Sequence, residues 1–311
     1  MLKLFRRILV LIIIIALLDI GFGFLLGRIM DMSPDGRYYK AKYSLEKCEE
    51  DLVIFGNSRA ETNYAPFVFE DSLNLSCWNT GRGGQTLPFW IAMKNGLLKR
   101  YSPKTVIINV ESDFLIPNLD EAYERAGFLR PFYYKHPEIR PIIDKISFFE
   151  KYLMISQLYS YNSSFYYLLR PFLIKGIDGN RNDKGWKTKS GNIANTENLE
   201  IEHINRNNKK INDNTLKEFN NFINSLVDHG CEIYVVISPI YGENIESTSS
   251  MEYLESMDML TVINLGNKSD LYNNPNYFKD PGHLNVQGAI EFSKILSHKI
   301  LDFKRADNII R

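Results

Sequence analysis

The sequence is organised around the segment Leu52-Val53-Ile54-Phe55-Gly56-Asn57-Ser58-Arg59. Its first four residues are apolar, and three of them are β-branched or aromatic, which is typical of a short strand buried on both faces. Gly56 permits a sharp turn after this strand, and a helix is predicted to begin near Ala60. Ser58 is therefore expected at the carboxyl end of a strand and beside a helix N-terminus, where open α/β sheets usually bind ligands. Taken alone, the segment fits an ordinary serine-lined turn equally well.

A second chemical pattern lies near the other end of the chain, in Asp280-Pro281-Gly282-His283-Leu284-Asn285. A serine hydroxyl becomes a good nucleophile when a base takes its proton, and an imidazole base works best when a carboxylate fixes its tautomer. Asp280 and His283 supply these two groups in a predicted Pro-Gly turn before the last helix. The alternative is structural: Asp280 starts the turn and His283 caps the helix.

Taken together, the strand-Gly-x-Ser and Asp-x-x-His patterns resemble the SGNH (GDSL-like) hydrolase superfamily, over residues 50–115 and 213–302. The chain looks most similar to membrane-anchored members that act on cell-envelope polymers, including the D-alanyl transfer protein of teichoic acids and polysaccharide O-acetyl enzymes. The resemblance implies a catalytic triad of Ser58, His283 and Asp280. It also implies an oxyanion hole formed by the N–H groups of Ser58 and Gly81. A flexible glycine loop is the alternative at Gly81.

The sequence departs from the family pattern after the third predicted strand. The family has Gly-x-Asn-Asp there, and its Asn is an oxyanion donor, whereas this chain has Val110-Glu111-Ser112-Asp113. Ser112 is the candidate replacement, because Glu111 and Asp113 cannot donate a hydrogen bond while they are ionised. Arg59 and Arg82 are predicted to hydrogen-bond the hydroxyl groups of a glycan or an anionic polymer.

The N-terminal segment predicts a membrane anchor. Residues 8–26 are almost entirely apolar, and in a helix they would span about 28 Å, close to the thickness of the hydrocarbon core. Asp19 costs about 2.5–3.5 kcal/mol there, but the Leu, Ile and Val residues before it contribute about 0.3–0.6 kcal/mol each and outweigh that cost. Lys3, Arg6 and Arg7 precede the run, so the N-terminus is expected in the cytoplasm and the domain outside it. A cleaved signal peptide is the alternative, although no Ala-x-Ala-like site follows the run.

The chain divides into a cytoplasmic tip and anchor at 1–30, a polar connector at 31–50 and an SGNH-like domain at 51–311. Strands alternate with helices in that domain, which predicts a right-handed, parallel, three-layer α/β/α sandwich. The resemblance adds a flavodoxin-like order for the five-stranded sheet. Strands are predicted at 52–55, 73–79, 105–110, 232–237 and 260–264, and helices at 88–100, 213–229, 249–260 and 286–301, the last capped by Asn285.

A helical and loop insertion is predicted at 116–212. Its first part, 116–175, is rich in aromatic residues and leucine, with prolines as breaks, and predicts two or three short helices that form a lid or a membrane-facing cap. Some of the aromatic side chains are expected to line a groove leading to Ser58, although most of them suit a small core of their own. Residues 176–212 predict a long, partly mobile loop. His136 and His203 are predicted to be surface residues.

Composition limits the possible functions. The 37 basic and 37 acidic residues leave no net charge, so nothing indicates a nucleic-acid partner. Cys48, Cys77 and Cys231 lack metal-ligand spacing, and neither a metal nor a cofactor is predicted. The predicted function is hydrolysis or transfer of an acyl ester on a cell-envelope polysaccharide or teichoic-acid-like polymer, with a membrane-bound acyl-donor protein as a further candidate partner. The alternative is a non-catalytic glycan-binding or envelope-assembly protein on the same fold.

Overall fold

The protein is a five-stranded parallel sheet covered by helices on both faces. The computed structural model describes residues 1–162, 164–176, 179, 181–195 and 210–310, so His203 lies outside the described residues. The strands follow the order β2-β1-β3-β4-β5, which confirms the flavodoxin-like sheet. Their bounds are Leu52–Phe55 for β1, Cys77–Asn79 for β2, Thr105–Val110 for β3, Glu232–Ile237 for β4 and Thr261–Asn264 for β5. A separate antiparallel hairpin joins β6, Phe278–Asp280, to β7, His283–Leu284.

The α-helices begin with one long N-terminal helix and end with another long helix at the C-terminus. Their bounds are Leu2–Asp31 for α1, Gly36–Glu46 for α2, Ser58–Asn63 for α3, Pro66–Leu73 for α4, Leu87–Leu98 for α5, Asp120–Arg125 for α6, Arg140–Ile143 for α7, Glu150–Leu153 for α8, Phe165–Leu173 for α9, Asp213–Asp228 for α10, Ser249–Glu255 for α11, Ser269–Tyr272 for α12 and Val286–Ile310 for α13. Short 3₁₀ helices lie at Ala126–Phe132, Pro137–Ile139, Tyr159–Tyr161, Arg181–Asp183, Ile193–Asn195 and Pro275–Tyr277.

Alternate residues of each strand enter two separate cores, as a sheet buried on both faces requires. Val53 and Phe55 pack in one core with helices α2, α5, α10 and α11, and Leu52 and Ile54 pack in the other with α3, α4 and α13. The structure therefore confirms the three-layer α/β/α architecture. The carboxyl ends of the parallel strands meet along one edge, where Ser58 follows β1.

Element boundaries differ from the sequence predictions most clearly at β2 and at the last helix. β2 covers only Cys77–Asn79, because the chain from Pro66 to Leu73 forms α4 and Asn74 ends this helix in the left-handed conformation, with φ of 52°. The last helix continues beyond residue 301 to Ile310. Asn285 does cap it, since its Oδ1 accepts the Gly288 N–H at 3.0 Å.

Residues 31–50 are part of the domain, so the prediction of a polar connector is wrong. Tyr38, Ala41 and Leu45 of α2 are buried in the same core as Leu26 and Met30 of α1. They stand three and four residues apart on one face of α2. The interleaved lysines and tyrosines conceal this apolar stripe in the sequence.

The insertion also packs closely on the domain. Leu129, Phe132 and Ile143 belong to the core on the α5 side of the sheet, so these residues do not form a separate core of their own. His136 is buried between Glu46 and Glu138, with ring nitrogens 3.2 and 3.0 Å from their carboxylates, and the prediction of a surface residue is wrong.

The described part of the predicted long loop, 181–195, lies against the domain without an α-helix or strand. Its Trp186 is buried, and the indole N–H donates to the Thr62 carbonyl at 2.6 Å. Lys187 N–H donates to the Glu61 carbonyl at 2.9 Å. These contacts hold the segment beside α3, the helix that carries Ser58.

Helix α1 is long and apolar enough to cross a membrane. Almost all of its apolar side chains up to Leu25 are exposed, whereas Leu26 and Met30 are buried against the domain.

Candidate active site

The turn after β1 places Ser58 at the first position of a helix. Gly56 has φ of +148°, and a Cβ there would lie 2.5 Å from the Ala60 Cβ and 3.0 Å from the Asn109 Cβ, so only glycine fits. Asn57 caps the helix, because its Oδ1 accepts the Arg59 N–H at 3.0 Å. The cap starts α3 at Ser58, two residues earlier than the sequence pattern indicated.

The three predicted triad residues are joined by hydrogen bonds. His283 Nε2 lies 2.8 Å from the Ser58 Oγ, and His283 Nδ1 lies 2.6 Å from the Asp280 Oδ1. Asp280 and His283 occupy facing strands of the β6–β7 hairpin, and the Leu284 N–H donates to the Asn63 Oδ1 at 3.0 Å, which fixes the hairpin to α3. A hydroxyl, an imidazole and a carboxylate in this order are the arrangement that activates a serine nucleophile.

The orienting carboxylate has a second partner that the sequence did not predict. Lys189 Nζ lies 3.0 Å from the Asp280 Oδ2. Burial by itself would raise the pKa of Asp280, but the hydrogen bond and charge of His283, together with those of Lys189, outweigh it and lower this pKa to about 2. Asp280 is therefore ionised throughout the neutral range. Lys189 belongs to the predicted loop, and no local pattern marks it.

The oxyanion donor predicted at Gly81 is occupied. Its N–H donates to the Asn79 Oδ1 at 2.9 Å, and the N–H groups of Arg82 and Gly83 donate to Gly56 O and Glu61 Oε2. Gly84 is different: it lines the cleft beside Ser58, and its N–H has no hydrogen-bond partner among the described residues. The Ser58 N–H, at the start of α3, has no partner within the helix. Ser58 and Gly84 are thus the candidate backbone donors at this edge of the cleft, whereas the Gly81 N–H is already used within the protein.

Ser112 is not placed to complete an oxyanion hole. Its side chain is buried, and the cleft beside Ser58 is lined instead by its neighbours Glu111 and Asp113. Glu111 Oε1 accepts a hydrogen bond of 2.9 Å from the Asn57 Nδ2. The prediction for Ser112 is therefore wrong, because in the turn that follows β3 the residues on either side of Ser112 line the cleft while its own side chain is buried.

Arg59 and Arg82 have internal partners, contrary to the substrate-binding role predicted for them. Both side chains are buried, and neither lines the cleft. Arg59 Nη2 lies 3.3 Å from the Glu111 Oε1, and the Arg82 guanidinium stacks 3.2 Å above the Phe128 ring. Arg59 thus holds the carboxylate of Glu111 in place. Arg82, in the loop that follows β2, connects that loop to Phe128 of the insertion.

A cleft of about 430 Å³ opens beside Ser58. Two polar atoms in its lining residues are buried and have no hydrogen-bond partner among the described residues: Gln85 Oε1 and Trp90 Nε1. Buried polar atoms are almost always paired, so these two suit a polar ligand. The described part of the insertion contributes no aromatic side chain to this cleft, contrary to the expectation; the residues that line it from there are Pro117, Asn118, Leu119, Glu121, Ala122 and Arg125.

A buried lysine supports the loop beneath the site. Lys40 of α2 donates to the carbonyl groups of Gly81 and Gly185, and its Nζ lies 3.8 Å from the Glu61 Oε1. Burial lowers the pKa of Lys40 to about 8, although the Glu61 charge opposes this shift. Lys40 thereby connects α2, the loop that follows β2 and the 181–195 segment.

Among the described residues, no group of His, Cys, Asp and Glu side chains is arranged to hold a metal ion. The three cysteines are free and buried. The sequence matches no protein-family model, and no curated protein matches it.

Proposed function

We propose that the protein is a membrane-anchored serine esterase or O-acyltransferase of the SGNH type, acting on an acyl ester of a cell-envelope glycan. The observation that carries this proposal is the hydrogen-bond chain from the Ser58 hydroxyl through His283 to Asp280. This chain lies at the carboxyl edge of a flavodoxin-like sheet and opens into a cleft with unpaired polar atoms.

In the proposed reaction, Ser58 Oγ attacks the acyl carbonyl carbon while His283 Nε2 takes its proton. The Ser58 and Gly84 N–H groups stabilise the oxyanion of the tetrahedral intermediate. The intermediate then collapses, the ester C–O bond breaks, and protonated His283 gives its proton to the leaving alkoxide. His283 next deprotonates a second hydroxyl compound, whose oxygen attacks the acyl-serine carbonyl. As the bond between the acyl carbon and Ser58 Oγ breaks, His283 returns the proton to Oγ and the free serine is restored. Water as this acceptor gives a free acid, whereas a sugar hydroxyl gives a new ester.

The cleft supports an uncharged, hydroxyl-rich substrate over an anionic polymer. Glu111, Asp113 and Glu121 line it, and its one lining arginine, Arg125, is paired with Glu121 at 3.2 Å. These carboxylates disfavour phosphates and other anions, and they can accept hydrogen bonds from sugar hydroxyls. We therefore favour an acylated polysaccharide over a teichoic-acid-like polymer as the substrate. In the transferase case, a membrane-bound protein supplies the acyl group.

The proposed location is the outer face of the cytoplasmic membrane. Helix α1 spans the bilayer, and Lys3, Arg6 and Arg7 keep its N-terminus in the cytoplasm. An enzymatic reporter fused after Arg311 should then be active only outside the cytoplasm. Mass spectrometry of the purified protein should find the segment 8–26 intact, and its loss would assign that segment to a cleaved signal peptide.

The proposal is tested by labelling the purified full-length protein with a serine-directed fluorophosphonate. The wild type should be labelled, Ser58→Ala and His283→Ala should abolish labelling, and Asp280→Asn should slow it strongly. Ser269→Ala, at an exposed serine that belongs neither to the triad nor to the lining of the cleft, is the matched control and should label like the wild type. A folded wild-type protein that stays unlabelled beside active control enzymes would overturn the proposal.

The second candidate is a glycan-binding protein that does not turn its ligand over. The carboxylate of Glu111 beside Ser58, together with the occupied N–H groups of residues 81–83, favours it, because both weaken oxyanion stabilisation. In that case calorimetry should detect glycan binding with no release or transfer of acyl groups. Acetate release from an acetylated glycan by the wild type, but not by Ser58→Ala, decides for the enzyme.

A further inference from the structure

Part of the insertion presents a large apolar surface to the outside. Residues 148–174, which we call the apolar cap, contain only Glu150, Lys151 and Arg170 as charged residues, and Glu150 is buried against Arg130. The cap residues with large exposed apolar side chains are Phe148, Phe149, Tyr152, Leu153, Ile155, Leu158, Phe165, Tyr166, Leu169, Phe172, Leu173 and Ile174. A contiguous surface of this kind is uncommon on a protein facing water and marks a site of association.

Helix α9 shows the character of this surface most clearly. Phe165, Tyr166, Leu169, Phe172 and Leu173 recur at the spacing of one helix face, and all of them are exposed. The other side of the helix carries the buried Leu168 and Pro171 together with Arg170. Leu168 belongs to the main core, so α9 packs on the domain with one apolar face and exposes a second one. An exposed apolar face of this size is typical of a helix that lies against a membrane or a partner.

The cap is fixed to the membrane-spanning helix through the one acidic residue of its apolar run. The Asp19 carboxylate accepts the N–H groups of Gln157 and Leu158 at 2.7 and 3.1 Å, together with the Ser156 hydroxyl. A carboxylate in the apolar run thus has three donors, and two backbone N–H groups of the cap have an acceptor. Both conditions are needed where no water is present.

Two glycines of α1 allow the cap to approach closely. A Cβ at Gly23 would lie 2.4 Å from the Gln157 Cβ, and one at Gly27 would lie 3.0 Å from the Tyr161 hydroxyl. Small residues four positions apart are typical of helix surfaces that pack within membranes. The cap therefore packs along the Asp19–Gly23–Gly27 side of α1.

The position of Asp19 along α1 sets the depth of the cap. It precedes Leu26, the end of the apolar run, by seven residues, which corresponds to about 10 Å along a helix. Cap residues 156–158 bind Asp19, so they lie at that level. If α1 spans the bilayer, as proposed above, these residues lie inside the outer hydrocarbon layer.

We propose that the apolar cap is embedded in the outer leaflet of the bilayer, with lipid acyl chains covering the exposed faces of α8, α9 and the 154–158 segment. The proposal rests on the membrane anchoring by α1. Continuity with the exposed surface of α1 identifies the occupant as lipid. The protein is thereby held by one spanning helix and one element that enters the membrane from the outside without crossing it.

Spin labels on full-length protein in phospholipid nanodiscs test this proposal. Cysteine is introduced at Ile155 and Leu173 in the cap, at Leu17 in α1 as the lipid reference and at Lys217 in α10 as the water reference; all four side chains are exposed. The labels at 155 and 173 should collide preferentially with oxygen, like the label at 17, and not with a water-soluble nickel complex. Nickel accessibility like that at 217 would overturn the proposal, and so would shielding from both reagents, which indicates a second copy of this chain on the surface.

Asp19 variants test the connection to α1. Asp19→Leu removes the acceptor for the cap, so the label at 155 should become more mobile, whereas Asp19→Asn keeps one acceptor oxygen and should change it less. Equal mobility in both variants and the wild type would contradict the docking. A label at 17 that lies in water would instead refute the anchoring of the proposed function, independently of the cap.

Discussion

The Lys189 ammonium lies 3.0 Å from the Asp280 Oδ2, on the carboxylate oxygen that His283 does not use. It reaches the site from a segment 91 residues away in sequence. Since the two side chains are 27% and 42% exposed, solvent screens their interaction, and Lys189 acts by positioning the carboxylate.

Lys189→Met should therefore lower kcat on a small acyl ester by less than about tenfold and leave KM unchanged. Asp280→Asn should cost far more, because loss of the orienting carboxylate reduces kcat about 10⁴-fold in a Ser-His-Asp triad. Lys279→Met, at an exposed lysine of β6, is the matched control and should behave like the wild type. A loss with Lys189→Met as large as that of Asp280→Asn would show that Lys189 takes part more directly.

Substitutions at Gly81 and Gly84 should have separable effects. A Cβ added at Gly81 would lie 2.5 Å from the Ala60 Cβ, so Gly81→Ala should lower the melting temperature. Gly84 has open space around it, but its φ of +73° costs alanine about 1 kcal/mol, and relaxation would turn the N–H away from Ser58.

Gly84→Ala should thus lower kcat of the folded enzyme with a smaller loss of melting temperature. Paired thermal unfolding and esterase assays measure both quantities. The assignment of Gly84 as oxyanion donor is wrong if kcat per folded molecule falls only in Gly81→Ala.

Trp90→Phe should weaken binding of a glycan substrate. Trp90 lines the cleft and its Nε1 has no hydrogen-bond partner among the described residues; if a glycan hydroxyl supplies that partner, its loss corresponds to a rise in KM of about two- to tenfold. Trp78→Phe removes the same atoms at a site where the indole N–H donates to the Ser44 Oγ at 2.9 Å. Trp78→Phe should therefore lower the unfolding free energy by about 1 kcal/mol more than Trp90→Phe does, without changing KM. Unchanged KM in Trp90→Phe would remove this group from the binding site.

The stability of the protein should depend on Lys40 above pH 8. The folded-state pKa is about 8, below the usual 10.5, so unfolding takes up a proton between these two values. Higher pH then disfavours unfolding, and the burial penalty that is fully present below pH 8 is relieved as the pH rises towards 10.5. Relative to Lys40→Met, the wild type should gain up to about 3 kcal/mol of unfolding free energy over this interval, measured by chemical denaturation in detergent. If the difference in unfolding free energy between the wild type and Lys40→Met does not change with pH, Lys40 stays charged in the folded protein.

The strands and the positions of Ser58, Asp280 and His283 could be predicted because they leave local signals, whereas the strand order was implied by the family resemblance. Strands β1, β3 and β4 are mostly apolar, as strands buried on both faces must be. Ser58 follows the apolar run of β1 closely. Asp280 and His283 flank a Pro-Gly turn, where they supply a carboxylate and an imidazole three residues apart. The parallel order then requires their positions to meet at one edge of the sheet.

What the sequence did not predict depends on contacts between distant segments. Which glycine can act as an oxyanion donor depends on the Asn79 side chain, because its Oδ1 accepts the Gly81 N–H. The Gly84 N–H has no partner among the described residues. Lys189 pairs with a residue that follows it by 91 positions, and the partner of Asp19 lies 138 residues further along the chain. Helix α2 was missed because its buried stripe is interrupted by lysines. Hydrophobic periodicity within a short segment of sequence cannot predict contacts between residues so far apart.

The short passage between α1 and α2 has a mechanical consequence. Only residues 32–35 separate the two helices, and Met30 and Tyr38 on either side of them share one core. If α1 spans a bilayer, as proposed, a domain mounted in this way has no flexible linker, so the edge that carries Ser58 stays at a fixed height above the membrane as the protein diffuses. The search of the proposed enzyme for substrate would then be two-dimensional, and polymer would be modified only as it passes through that layer. Chain ends that have grown beyond the layer would escape modification.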